Sequence, residues 1–234
     1  MIKAEGIHKT FEDFTALDNI TCNISDGCIY GMVGSNGAGK STFLRVLSGI
    51  YKPDKGCAYI DDEPIYENPK VKDNIVFVSD ELFFLPGATM SKMADFYSSI
   101  YDRFNYDRFL KLAELFELNI KKPIANFSKG MKRQASIILA LSTRAKYMFF
   151  DETFDGLDPV MRNLVKKLIC NDVAEYDTTV IVTSHSLREL EDICDHLALL
   201  HKGGLVLDSD VLELKTTQFK VCLLYTSPSP RDCS

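Results

Sequence analysis

The apolar residues of this chain follow two patterns that alternate along its length. Short apolar runs rich in β-branched and aromatic residues occupy 28–33, 75–78, 147–150 and 179–183. Runs of this length predict strands that are buried on both faces. Segments with helical spacing separate them, and this alternation predicts an α/β fold with a mostly parallel central sheet.

Two stretches depart from the alternation. Residues 2–33 combine short apolar runs with turn residues, which predicts an antiparallel β subdomain that leads into the first central strand. Residues 85–142 contain segments with helical periodicity at 91–101, 106–118 and 129–141. They predict an α-helical subdomain inserted between two strands of the sheet.

Four aromatic residues in or beside the helical segment allow two interpretations: Phe83, Phe84, Phe96 and Tyr97. As an exposed group they would form a docking surface for another protein. Large aromatic side chains are more often buried in a core, however, and we favour this second interpretation for Phe96.

Composition and charge limit the classes of function. The chain has 234 residues, of which 46% are hydrophobic and 26% charged, and a net charge of −6. The acidic balance argues against nucleic acid as the main partner. No apolar run approaches the roughly 18 residues of a membrane span, and no signal-peptide core is present, so we expect a cytoplasmic protein. The cysteines form no C-x-x-C pair, which favours reduced thiols over a zinc site.

The last residues have a different character. Residues 222–232 resemble the translation, in one frame, of the transposon-end adapter used to prepare sequencing libraries. We interpret 222–234 as non-native, which leaves 1–221 as the folded domain and places the natural C-terminus outside this sequence. A natural disordered tail rich in proline and serine is the alternative.

The most specific chemical motif is a glycine-rich loop between a predicted strand and a predicted helix. It matches G-x-x-x-x-G-K-[ST], the phosphate-binding loop of nucleotide triphosphatases. Its glycines allow backbone N–H groups to surround phosphates, its lysine adds a positive charge, and its serine offers a hydroxyl to Mg²⁺. The candidate nucleotide contacts are Gly34, Ser35, Asn36, Gly37, Ala38, Gly39, Lys40, Ser41 and Thr42.

Polar residues also follow two of the predicted central strands, at the edge where α/β folds bind ligands. Asp151 and Glu152 follow run 147–150, so we expect Asp151 to hold Mg²⁺ together with Ser41, and Glu152 to act as general base. His185 follows the next strand and is placed to orient water at the γ-phosphate. Taken alone, the two carboxylates are also typical of a solvated strand end, and the histidine is also typical of a structural residue. Together with the phosphate-binding loop, they indicate a nucleotide site.

A second candidate anion site lies at 126–134. Ser128 is placed to cap the helix that begins at Lys129, and Gly130 allows a close approach of backbone. Together they would present a helix N-terminus to a phosphate. An ordinary helix cap is the alternative interpretation.

In this order the motifs resemble those of the nucleotide-binding subunit of ATP-binding cassette (ABC) transporters. The resemblance extends over about residues 2–215 and rests on the loop 34–41, a signature at 127–131, the strand and carboxylates 147–152, the loop 156–159 and His185. It implies a P-loop NTPase core that binds ATP and Mg²⁺. It also implies that Phe11 stacks on adenine, with Phe14 as a second candidate, and that Asp158 contacts nucleotide.

Two motifs depart from the family pattern. The usual signature Leu-Ser-Gly-Gly-Gln is replaced by Phe127-Ser128-Lys129-Gly130-Met131, which keeps the serine and one glycine. Asp80 stands where the family has glutamine after the strand 75–78, so it is a further candidate Mg²⁺ ligand. Such replacements resemble small bacterial exporter subfamilies with a separate membrane subunit.

The resemblance implies a dimer, with itself or with another ABC ATPase subunit, that encloses ATP between the loop of one subunit and Ser128 and Gly130 of the other. It further implies an integral membrane permease as partner and a position on the inner face of the cell membrane. A non-transport ABC ATPase acting on ribosomes or DNA is the alternative function. A P-loop kinase would not explain the segment 127–131 or Glu152.

Overall fold

The computed structural model describes residues 1–216, so the interpretation of 222–234 and the proposed domain end at 221 lie outside the described residues. The strands are β1 Ile2–Phe11, β2 Phe14–Ile24, β3 Ile29–Val33, β4 Lys55–Ile60, β5 Glu63–Pro64, β6 Ile75–Val78, β7 Tyr147–Phe150, β8 Thr179–Ser184, β9 His196–His201 and β10 Gly204–Asp210. The helices are α1 Lys40–Leu47, α2 Pro69–Lys72, α3 Met90–Ser98, α4 Tyr106–Leu115, α5 Lys129–Ser142, α6 Pro159–Tyr176 and α7 Leu187–Leu190, and residues 211–216 are also helical.

The larger sheet has the strand order β10-β9-β3-β8-β7-β6. All of its pairings are parallel except that of β10 with β9. The predicted mostly parallel sheet is therefore confirmed, and the carboxyl ends of β3, β7 and β8 meet at one edge. That edge is where the phosphate-binding loop, Asp151 and His185 begin.

The smaller sheet is antiparallel and has the order β2-β1-β4-β5. It packs against the larger sheet with α1 between them, and the two share a core that includes Ile7, Leu17, Tyr30, Phe43 and Phe149. Burial of these side chains on both sheets fixes the start of α1, and with it the phosphate-binding loop, between the two layers. The predicted N-terminal antiparallel subdomain is confirmed.

Helices α3, α4 and α5 lie in sequence between β6 and β7. Their buried side chains form a second hydrophobic core with β6, β7 and β8 of the larger sheet. Two of them are shorter than predicted, because α3 ends at Ser98 and α4 at Leu115. The hydroxyl of Ser98 bonds the Asp95 carbonyl, and Glu117 takes a left-handed backbone conformation with φ of 55°. Both features end a helix in a way that apolar periodicity does not reveal.

The prediction that Phe96 lies in the core is wrong, because its side chain is 41% exposed. Helix α3 turns Met90, Met93 and Ala94 towards the core. At 3.6 residues per turn, Phe96 lies to one side of this buried stripe and outside it. Phe83, before the helix, is 78% exposed, so this part of the chain presents aromatic surface.

None of the helices in residues 1–216 combines the length and apolar character needed to cross a lipid bilayer.

Candidate active site

The phosphate-binding loop runs from the end of β3 to the start of α1, and its shape requires glycine. Gly37 and Gly39 have φ values of 79° and 107°, in the left-handed region that other residues rarely occupy. A Cβ at Gly39 would lie 2.5 Å from the Ala16 carbonyl oxygen, and one at Gly34 would lie 2.6 Å from that of Leu200. The loop is thus wedged between the two sheets, with its N–H groups at the sheet edge.

Lys40 connects this loop to the predicted general base. Its ammonium group donates to the carbonyls of Gly34 at 2.7 Å and Ser35 at 3.2 Å, and lies 3.0 Å from Oε1 of Glu152. The side chains of Lys40 and Glu152 are only 5% and 12% exposed. The ion pair is therefore poorly screened by water, and an anionic ligand would compete with Glu152 for the same charge.

A cleft of about 360 Å³ opens beside this pair. The structure brings part of the phosphate-binding loop together with Glu152 and His185 in its wall. Its lining consists of Phe14, Ala16, Asn36, Gly37, Gly39, Lys40, Ser41, Thr42, Asp80, Glu152, Asp155 and His185.

Asp151 lies behind this wall and is fully buried. Its Oδ1 accepts a hydrogen bond from the hydroxyl of Thr183 at 2.7 Å, and the same hydroxyl oxygen accepts the N–H of Glu152 at 3.0 Å. Its Oδ2 is buried without a hydrogen-bond partner among residues 1–216. A buried carboxylate oxygen needs a donor or a cation, so the site suits a hydrated or directly bound Mg²⁺.

Thr183 is a functional residue that the sequence reasoning missed. It is fully buried at the end of β8 and holds both carboxylate residues in place through one hydroxyl. A polar β-branched residue at the end of an apolar strand was the available sign. Its partners Asp151 and Glu152, which directly follow β7, become visible only when β7 and β8 pair.

Replacing Thr183 by valine is expected to lower the free energy of unfolding by about 1–3 kcal/mol, because the Asp151 carboxylate and the Glu152 N–H lose their partner. We also expect ATP turnover to fall roughly tenfold, because both carboxylates lose their orientation. Denaturant unfolding and phosphate release measure the two effects.

Thr179 supplies a matched control on the same strand. It is also fully buried, and its hydroxyl oxygen accepts the N–H of Gly27 at 3.0 Å, away from the cleft. Thr179→Val should lose stability and keep its turnover. Equal turnover in the two valine variants would contradict the orienting role of Thr183.

His185 closes the polar end of the cleft. Its Nδ1 lies 3.2 Å from Oε2 of Glu152 and 3.8 Å from Oδ2 of Asp155. The hydrogen bond with Glu152, followed by the charges of Asp155 and Glu152, raises the pKa of His185 and favours its charged form. Burial and the neighbouring Glu152 charge raise the pKa of Asp155, which sequence reasoning did not single out.

Ser128, Gly130 and Asp158 lie outside the cleft of their own chain. The hydroxyl of Ser128 caps α5 by accepting the N–H of Met131 at 3.2 Å, and the carboxylate of Asp158 caps α6 through the N–H groups of Val160 and Met161. Gly130 lies close to the loop 156–159, since a Cβ at Gly130 would lie 3.1 Å from the Gly156 carbonyl oxygen. These predicted nucleotide contacts therefore lie apart from the cleft, with Ser128 and Asp158 exposed and Gly130 half-buried.

The two aromatic candidates for stacking on adenine lie next to each other but have different surroundings. Phe14 lines the cleft, whereas Phe11 packs edge-on against Tyr51 with the ring centroids 5.3 Å apart. The two phenylalanines are paired across the β1–β2 turn. Asp80 does line the cleft, but its carboxylate is already paired with Arg133 at 2.7 Å.

Comparisons with known proteins identify the family of this chain. A profile of the ABC transporter family matches residues 17–155. The ABC transporter ATP-binding protein YtrB of Bacillus subtilis is 31% identical over 225 residues, which cover 96% of this chain and 77% of YtrB. The bacitracin transport ATP-binding protein BcrA of Bacillus licheniformis is 30% identical, with 88% of this chain and 68% of BcrA covered.

Solved structures show the same fold. The ATP-binding subunit of an ABC transporter superposes with a TM-score of 0.85 at 21% identity and covers 94% of both chains. The ATP-binding cassette MJ0796, a dimer bound to ADP and phosphate in a post-hydrolysis state, superposes with a TM-score of 0.81 at 22% identity over 90% of this chain and 99% of its own. Because the family profile spans more than half of the chain and YtrB matches nearly all of it, the chain belongs to the ABC transporter family of ATP-binding proteins and is an ABC-type ATPase.

Proposed function

We propose that the chain hydrolyses ATP in the cleft beside Lys40 and uses the energy to drive export through a separate membrane subunit. The observation that carries this proposal is the ion pair between Lys40 and Glu152, which joins the phosphate-binding lysine to the general base in one poorly hydrated site. A relative named for linearmycin resistance, 31% identical to this chain, supports export as the direction.

Binding of ATP would rearrange this ion pair. The β- and γ-phosphates would take the ammonium group of Lys40 and the N–H groups of the loop, and Glu152 would be released from its cation. Glu152 then accepts a proton from the attacking water, while His185, held by Glu152 and Asp155, orients that water. Mg²⁺ held by Ser41 and Asp151 would neutralise phosphate charge.

The cleft of one chain contains only part of the expected contacts. Ser128 and Gly130 are exposed or half-buried at the start of α5, outside the cleft. We propose that they contact the γ-phosphate held by a second cassette, a copy of this chain or another ABC ATPase subunit. The adenine base of ATP would lie at the end of the β1–β2 hairpin, where Phe11 and Phe14 are paired.

The membrane partner would dock on the helical subdomain. Four large apolar side chains are exposed between β6 and α4: Phe83, Leu85, Phe96 and Ile100. Exposed apolar groups of this kind are typical of interaction surfaces. This arrangement would hold the protein at the inner face of the cell membrane.

Replacing Phe83 by aspartate is expected to abolish co-purification with an integral membrane subunit from detergent-solubilised membranes of the native cell. The charge would be buried at the interface, whereas the isolated chain should keep its ATP affinity. Val206→Asp is the matched control, because Val206 is also exposed, at 63%, but lies on β10 at the far edge of the sheet. Equal recovery of the membrane subunit with both variants, or recovery of ribosomes instead, would contradict the docking surface.

A further inference from the structure

Arg133 is a buried cation whose hydrogen bonds reach one short segment. It lies on α5 and is 2% exposed. Its guanidinium donates to the carbonyl of Ser79 at 3.0 Å, the carbonyl of Asp80 at 3.1 Å and the carboxylate of Asp80 at 2.7 Å. This segment directly follows β6 and reaches the nucleotide cleft through Asp80.

The pairing gives a physical reason for an acidic residue at position 80. A buried guanidinium requires an anionic partner, and removal of that partner leaves an uncompensated charge. The carboxylate of Asp80 supplies it while remaining 55% exposed at the cleft. Glutamine, the residue expected from the family pattern, would leave Arg133 without a counter-charge.

The same pair joins two parts of the molecule that act on different nucleotides. Asp80 lines the cleft of its own chain, whereas Ser128, which caps the N-terminus of α5, is assigned to the site of a second cassette. Since Arg133 is buried on that helix and bonded to residues 79 and 80, a movement of the Asp80 segment would be passed to the N-terminus of α5.

We propose that Arg133 is a positioning residue that couples the nucleotide cleft to the start of α5 through Asp80. The carboxylate of Asp80 then acts as the partner of Arg133 and not as an independent Mg²⁺ ligand. This inference rests on the proposed function, because the contact that it transmits is closure of the cassette dimer.

A double-mutant cycle on the full chain tests this inference. Asp80→Asn, Arg133→Gln and the double variant are made in a Glu152→Gln background that retains ATP. Affinity for ATP in the monomer is measured at increasing Mg²⁺ concentrations, and the dissociation constant of the ATP-bound dimer is measured by analytical ultracentrifugation. Lys132→Gln, which removes one positive charge from the same turn of α5, is the matched control.

Each single variant should weaken the dimer at least tenfold, and Arg133→Gln, which lies outside the cleft, should change monomer ATP affinity less than twofold. The double variant should be no weaker than the worse single variant, and Lys132→Gln should match the parent. Independent effects that multiply would overturn the inference. So would a raised Mg²⁺ requirement in Asp80→Asn that is absent from Arg133→Gln, since Asp80 would then be a metal ligand in its own right.

The design also separates a folding defect, failure of the proposed function and failure of the coupling role. If Arg133→Gln does not fold, Arg133→Lys, which keeps the charge but loses the forked geometry, replaces it in the same cycle with the same criteria. If the Glu152→Gln parent does not dimerise, the proposed function itself fails and this inference with it. If the parent dimerises and the Arg133 variants dimerise equally well, only the coupling role fails.

Discussion

Replacement of Glu152 by glutamine is expected to reduce ATP turnover by about 10²–10⁴-fold, the range typical for loss of a general base. Glutamine keeps the size of the side chain and cannot accept the proton of the attacking water. It also cannot form the ion pair that Glu152 makes with Lys40 at 3.0 Å, so the lysine becomes fully available to phosphate. ATP should therefore bind, remain unhydrolysed and hold the protein as a dimer.

The measurements are phosphate release and the mass of the protein with ATP by light scattering. Asp155→Asn provides the control, because it also removes a carboxylate beside His185 but leaves the pair of Lys40 and Glu152 intact. It should lose much less activity and should not accumulate as a dimer. Wild-type turnover in Glu152→Gln would rule out Glu152 as the general base.

Replacement of Ser128 by arginine is expected to abolish ATP-dependent dimerisation while single-chain ATP binding persists. Ser128 is exposed at the N-terminus of α5 and lies outside its own cleft. A large cationic side chain would block close approach of this helix end to a phosphate on the facing cassette. The lining of the chain's own cleft would be unchanged.

Thr89→Arg is the matched control for this variant. Thr89 caps α3 through its hydroxyl, as Ser128 caps α5, so both substitutions remove a cap and add a charge on the helical subdomain. The loss of the cap itself costs each helix about 1 kcal/mol. Dimerisation of Ser128→Arg at the level of Thr89→Arg would exclude Ser128 from the interface.

The sequence predicts the central sheet well, because short apolar runs bounded by polar residues admit few other structures. β6 and β7 have the predicted bounds, and α5 extends one residue beyond its predicted end. The phosphate-binding loop was equally accessible, since glycine spacing, lysine and hydroxyl are all adjacent in the chain. The local sequence pattern therefore accounts for the fold class and for the phosphate-binding loop.

Contacts between distant residues account for most of what the sequence did not predict. Thr183 acts on Asp151 and Glu152 across a strand pairing, and Arg133 acts on Asp80 from another element. Neither partner is close in sequence, so no spacing rule identifies the pair. The prediction for Phe96 is wrong for a different reason. Its hydrophobicity favours burial, but the neighbouring residues of α3 decide which face of the helix is buried.

We expect each nucleotide site to be completed by a second cassette, and a mixture of two complementary variants is the test of this composite site. In a Glu152→Gln background, a tagged Lys40→Ala chain lacks a functional phosphate-binding loop, and an untagged Ser128→Arg chain lacks a functional lid. Neither should self-associate with ATP.

The mixture contains one complete composite site, from the loop of the second chain and Ser128 of the first. We therefore predict that the tagged chain captures the untagged chain only when ATP is present, with one nucleotide per pair. ATP-dependent self-association of Ser128→Arg, or failure of the mixture to form this complex, would show that Ser128 of a second chain does not complete the nucleotide site.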